Sequence, residues 1–214
     1  MTKKFLPKLF KILRLILVGS PSRNLMDVDV DAFSSSQMGS KLWLTERLEE
    51  CLSRLEAPVA GYKIWIYAGW YGITNLIIRT RGVIPVEYVR CIDRDPTCEP
   101  IADRINKFWE WQDWQFKSIT GDVNEVNYSQ DNPHIVINTS IEHMGPGLWF
   151  DMIPKGTIVV VQGSDLPHDD HVRRINSVGE LRSACPMSSE LYSGSIAFNY
   201  PGLELKRYMI IGIK

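Results

Sequence analysis

Two short stretches carry residues suited to gripping a ligand. The run Tyr62-Lys63-Ile64-Trp65-Ile66-Tyr67 leads into the turn Ala68-Gly69-Trp70-Tyr71-Gly72, and a second apolar run, about two dozen residues later, ends in Ile92-Asp93-Arg94-Asp95-Pro96. Glycines let a chain bend tightly against a ligand, and an acid at the tip of the next strand accepts hydrogen bonds from ribose hydroxyls. Together they form the device by which an α/β sheet holds an adenosine-containing molecule. The simpler role for Asp93 is to cap the helix that starts near Pro96, for which Asp95 is better placed.

Other reactive clusters read differently. His168-Asp169-Asp170-His171 has metal-ligand residue types but reads as a polar surface loop, and no metal site is expected. The aromatic run from Phe108 through Trp109, Trp111 and Trp114 to Phe116 could stack bases, yet rings spanning a helix end and a strand more often cover a sheet. Arg79, Arg81, Arg90, Arg94 and Arg104 are scattered among acids and form no phosphate track, so there is no strong nucleic-acid signal. Cys51, Cys91, Cys98 and Cys185 lack metal-ligand spacing and read as reduced thiols of a cytoplasmic protein.

These residues need a scaffold that brings strand ends together. The hydrophobic runs predict strands over 63–68, 86–92, 115–119, 134–138, 157–162, 191–198 and 203–213. Helices are expected over 73–81 and 96–111, with a broken one over 144–153. Strands apolar on both faces fit a parallel sheet covered by helices on each side, a doubly wound α/β arrangement. The turn Asn199-Tyr200-Pro201-Gly202 closes a C-terminal hairpin, which places one antiparallel strand in an otherwise parallel sheet.

Ahead of this domain, assigned to 41–214, the chain differs. Residues 1–18 form a basic amphipathic helix in which Leu6, Leu9, Leu13 and Ile16 recur at helical spacing among Lys4, Lys8, Lys11 and Arg14. That stretch is too short and too charged to span a bilayer. Residues 5–18 are suited to packing on their own domain or a protein partner, or to peripheral binding at an anionic membrane surface. Residues 19–40, rich in Ser and Asp, read as a linker, and a helix follows from Ser40 with Leu42, Leu44, Leu48, Leu52 and Leu55 on one face. The 214 residues suffice for one good core, and a net charge of −1 provides no global field to attract polyanions.

From about Gly61 onward the chain resembles the class I S-adenosylmethionine-dependent methyltransferases, whose seven-stranded sheet ends in an antiparallel hairpin. The resemblance implies S-adenosylmethionine as cofactor and an unidentified methyl acceptor, small molecule or macromolecule. It implies that Ala68, Gly69, Trp70 and Gly72 lie against the methionine part, Asp93 and Arg94 at the ribose, and Asp122 and Val123 at the adenine. Asn138 and the segment after it would face the methyl group, with Glu142 and His143 as candidate bases where the acceptor must lose a proton. A competing account makes Thr139 or Ser140 a helix cap, with Glu142 and His143 solvated. The Asp-x-Asp-Pro run at 93–96 also resembles the nicotianamine-synthase-like branch.

Two features depart from the family. Trp70 and Tyr71 stand where Gly-x-Gly-x-Gly is usual, and Asn138-Thr139-Ser140 replaces the Asn/Asp-Pro-Pro-aromatic signature, which argues against an adenine or glutamine nitrogen as acceptor. The bulky loop motivates an alternative: a catalytically silent protein of this fold, for instance a phage assembly component, docked through its N-terminal helix. A nicotinamide-dependent oxidoreductase would need glycine near Tyr71 and Thr74, and neither is glycine.

Overall fold

Successive side chains on a strand point to opposite faces, so the run 62–67 must bury two sets of residues. In the computed structural model, which describes residues 28–111, 113–145 and 148–214, both sets are buried. Ile64 and Ile66 of β1 (Tyr62–Tyr67) enter one hydrophobic cluster with Leu44, Leu48, Val89 and Phe116. Trp65 and Tyr67 enter another, on the opposite face, with Trp149, Phe150, Val159 and Val161. Each large side chain withdrawn from water this way contributes about 1.5–3 kcal/mol.

Around β1 the chain builds β2 (Val86–Asp93), β3 (Phe116–Thr120), β4 (Ile135–Asn138), β5 (Ile158–Ser164), β6 (Ser189–Tyr200) and β7 (Leu203–Ile213). The sheet order is β3-β2-β1-β4-β5-β7-β6; β1 to β5 pair in parallel, while β7 runs antiparallel to both β5 and β6. The expected seven strands and closing hairpin are therefore present. The chain winds outward from β1 through β2 to β3, then restarts on the other side at β4. The carboxyl edge between β1 and β4 is consequently the point where ligands bind in such sheets.

Six helices, α1 (Ser35–Leu52), α2 (Ile73–Arg81), α3 (Cys98–Ile105), α4 (Lys107–Glu110), α5 (Leu148–Met152) and α6 (Val178–Ala184), are found among the described residues. Several differ from the sequence expectation. Residues 28–40, assigned to the linker, fold instead: a 3-10 turn spans Val30–Phe33 and α1 starts at Ser35 rather than Ser40. Two of the residues that suggested a linker are caps, Ser34 accepting from the Gln37 N–H at 3.3 Å and Asp29 from the Asp31 N–H at 2.8 Å. The helix expected over 1–18 and the start of the linker lie outside the described residues.

The helix expected over 96–111 breaks at Asn106. This residue is fully buried, and its amide donates to the carbonyls of Ala102 (2.9 Å) and Gly72 (3.3 Å) while accepting from the Asn75 amide (2.8 Å). Helix α6 was missed, although Ser177-Val178-Gly179-Glu180 is a capping box: Ser177 Oγ accepts from the Glu180 N–H and Glu180 reaches back to the Asn176 N–H. The aromatic run is also less buried than expected. Phe116 is buried, but Phe108, Trp111 and Trp114 are exposed because they ride on the short α4 and its outer turn. All four cysteines are free and buried, and no helix among the described residues is long and apolar enough to cross a membrane.

Candidate functional site

The end of β1 enters a bend whose backbone is left-handed at alternate positions: Ala68 (φ 44°), Trp70 (φ 51°) and Gly72 (φ 67°). A Gly-x-Gly-x-Gly loop would adopt that winding freely; an L-residue pays about 1–2 kcal/mol at each such position. Glycine is required at 69 for a different reason. A Cβ there would overlap the sulfur of Cys91, itself fully buried, and lie 3.0 Å from Ile66 Cγ2. At Gly72 a Cβ would lie 2.6 Å from Asn106 Nδ2, so the buried amide that breaks the α3 helix also seats the loop. The Trp70 indole leans on the Tyr71 ring, centroids 5.0 Å apart, and packs toward α1 and α2.

Asp93 locks this bend. Its Oδ2 accepts from the Trp70 backbone N–H at 2.9 Å and its Oδ1 from the Asp95 N–H at 3.1 Å. Asp95 forms the next turn, accepting from the Thr97 N–H at 2.9 Å, while α3 begins at Cys98 without a side-chain cap. The carboxylate and the loop thus stand side by side, on the rim of one cleft of about 890 Å³. That volume lies within the roughly 300–1,000 Å³ usual for small-molecule sites.

Along the cleft's first half run Ala68, Gly69, Trp70, Asp93 and Arg94, followed by Asp122 and Val123 beyond β3. Asp122 is exposed and opens the 3-10 turn Val123–Glu125, its Oδ1 accepting from the Asn124 N–H at 2.8 Å. Two sequence candidates do not line the cleft. Gly72 faces Asn106, and Asn138 is fully buried, its Oδ1 accepting from the Ser140 N–H (3.0 Å) and its amide facing the Met144 sulfur (3.0 Å). Both shape the backbone beside the cleft.

The second half begins after β4. His143 is exposed to the cleft, with the His171 ring edge-on at 4.6 Å. His171 Nδ1 sits 2.9 Å from the Leu166 carbonyl, which makes it the donor and leaves Nε2 as the free nitrogen of the neutral ring. Burial holds the His171 pKa below its ordinary value; Glu142 opposes the shift and His143 adds to it. Among the described residues no group of His, Cys, Asp or Glu is arranged to hold a metal ion.

Glu142 lies deeper, 3% exposed. Its Oε1 accepts from Ser164 Oγ at 2.9 Å and lies 3.9 Å from Arg207 Nη1. The accompanying surprise is Lys41 of α1, 5% exposed at the cleft, with Nζ donating to Gln37 Oε1 at 2.7 Å. Burial, then the Arg207 charge, pushes the Lys41 pKa down to about 7, against smaller opposing effects of Asp31 and Glu142. Sequence reading missed Lys41, Ser164 and Arg207. Lys41 reads as the solvated side of an amphipathic helix, and Arg207 as a charge in a hairpin. Only the docking of α1 across the carboxyl edge, held by Gln162 Nε2 donating to the Ser40 carbonyl at 3.2 Å, joins them.

Strand order, closing hairpin and cleft position define the class I methyltransferase fold. No protein-family model matches the sequence, and no curated protein matches it. Solved structures do match. The plantazolicin methyltransferase BpumL in complex with SAH superposes with a TM-score of 0.57 at 8% identity, covering 98% of each chain. An O-methyltransferase from Bacillus cereus in complex with SAH gives 0.56 at 13% identity, over 95% of this chain and 90% of that one. Magnesium protoporphyrin IX methyltransferase from Synechocystis PCC 6803 with bound SAM gives 0.54 at 11%, again over 95% and 90%.

Proposed function

We propose that this chain transfers a methyl group from S-adenosylmethionine to an acceptor bound at the His143 side of the cleft. The observation that carries the reading is the Asp93 carboxylate bonded to the Trp70 N–H at the carboxyl edge beside the switch between β1 and β4. The residues present fit the cofactor. Asp93 keeps lone pairs for ribose hydroxyls, and the left-handed bend at 68–72 stands beside it on the cleft rim, where the methionine part would lie. Arg94, Asp122 and Val123 would flank the nucleoside. The Trp70 indole, which lines the cleft, is held against the Tyr71 ring.

The cofactor would supply an electrophilic methyl carbon on a sulfonium. The protein's task is then to hold the acceptor atom in line with that carbon and to exclude water, and positioning of this kind can account for about 7–11 kcal/mol of a barrier. Where the acceptor carries a proton, His143 is the accessible base, with His171 behind it. Glu142 is engaged by Ser164 and faces Arg207, which suits it to orienting charge rather than to shuttling protons. Asn138 and Gly72 act through the backbone turns they shape.

Calorimetric titration with S-adenosylhomocysteine tests the proposal. Binding in the micromolar range is expected, weakened by about 10–150-fold in Asp93→Ala, the equivalent of losing one charged hydrogen bond. No binding at millimolar ligand would refute it. The alternative of a silent protein docked through residues 5–18 draws on a segment outside the described residues and gains no support from the cleft.

A further inference from the structure

We propose that Lys41 and Arg207 form an anion subsite at the acceptor end of the cleft, and that the methyl acceptor carries a carboxylate seated on it. The inference rests on the methyl-transfer reading and names the class of acceptor.

Three observations lead there. First, the cluster is unbalanced whenever Lys41 holds its proton: two cationic side chains, each 5% exposed, then face one comparably buried carboxylate, Glu142. A desolvated cation without a matching anion is costly unless a ligand completes the set. Second, both cations have unused donors. Among the described residues Lys41 Nζ makes one hydrogen bond, to Gln37, of the three it can donate. Among the described residues Arg207 Nε has no hydrogen-bond partner, and Glu142, 3.9 Å from Nη1, is bonded to Ser164 through Oε1 and has Oε2 unpartnered. Third, other groups facing Lys41 do not neutralise it. Asp31, on the 3-10 turn before α1, is exposed to water, and Gln37 is uncharged.

The cofactor itself has a carboxylate, so the location decides the assignment. Asp93 at the tip of β2 marks the nucleoside end, and the route to Arg207 on β7 crosses β1, β4 and β5. Four strand steps at about 4.8 Å each place the two roughly 19 Å apart along the sheet edge. Arg207, with the Lys41 charge that it faces, therefore stands beside Glu142, on the side of the cleft left for the acceptor. Seating an anion there would also return Lys41 to its protonated form, so binding above neutral pH should draw in a proton.

The test titrates benzoate into the full chain saturated with S-adenosylhomocysteine at about pH 8, with benzamide as the uncharged control. Benzoate is expected to bind at least about tenfold more tightly than benzamide and to lose about tenfold or more in Lys41→Met, while S-adenosylhomocysteine affinity stays within about threefold. Calorimetry in buffers of different ionisation enthalpy should show proton uptake with the parent. Uptake should be absent in Lys41→Arg, which keeps the charge and the binding but does not titrate. Equal binding of benzoate and benzamide would overturn the subsite. Loss of S-adenosylhomocysteine affinity in Lys41→Met as large as the benzoate loss would also overturn it, by giving the cations to the cofactor. If S-adenosylhomocysteine failed to bind the parent, methyl transfer would fall, and benzoate titrated into the unliganded chain would still decide the subsite.

Discussion

Neighbouring substitutions in the bend after β1 should act with opposite signs. Ala68 is held at φ 44°, where an L-residue costs about 1–2 kcal/mol relative to its relaxed backbone. Ala68→Gly removes that cost but returns about 0.4–1 kcal/mol of freedom to the unfolded chain, leaving a net gain of about 0.5–1 kcal/mol. For a chain of this size that raises Tm by about 1–4 °C. At Gly69 the backbone lies outside the left-handed region, so the problem is space. An added methyl meets Cys91 and Ile66, both fully buried, and overpacking of this kind costs about 1–3 kcal/mol. Gly69→Ala should therefore lower Tm by about 2–12 °C. Thermal unfolding followed by circular dichroism on the unliganded chain reads both, and S-adenosylhomocysteine affinity of Ala68→Gly should stay within about threefold of the parent. An Ala68→Gly variant that melts below the parent, or a Gly69→Ala variant that melts with it, would show that the bend is not wound as described. Ala68 and Trp70 would then not stand in a strained, glycine-like winding.

Asn106→Ala should destabilise by about 1–3 kcal/mol, because the carbonyl of Gly72 and the buried Asn75 amide lose their partner; urea unfolding measures the loss, and weakened S-adenosylhomocysteine binding should accompany it as the loop loosens. Lys41 makes stability depend on pH in a definite direction. The unfolded side chain holds its proton up to about 10.5 and the folded one loses it near 7, so between those values the unfolded state binds more protons and stability rises with pH. Relative to Lys41→Met, the parent should gain up to about 1.4 kcal/mol per pH unit above pH 7, and the variant should be the more stable of the two at pH 7 and below; urea midpoints that move in parallel with pH would refute the assignment. His171 acts in the same sense at lower pH: its folded pKa is depressed, so its contribution is complete above about 6.5 and is lost as pH falls through the folded value, a dependence His171→Phe should flatten.

Much of this molecule is written locally. The two-sided apolar run of β1, the Ile- and Val-rich β4 and β5, and the closing turn at 199–202 define a parallel sheet with a terminal hairpin because each signal depends only on residues a few positions apart. Asp93 was legible for the same reason: an acid directly after a buried strand must emerge at the sheet's carboxyl edge. The capping box of α6 was equally local. What the order of residues left open depended on contacts between distant segments. Whether Ala68 and Trp70 could wind like glycines was decided by Asp93 and Asn106 gripping the bend from β2 and α3. Whether the Ser- and Asp-rich stretch before α1 was linker or cap was decided by that helix docking on the sheet. The meeting of Lys41, Glu142, Ser164 and Arg207 exists only because four separate elements converge there, and such charge clusters are set by burial and proximity, which no single stretch of chain encodes.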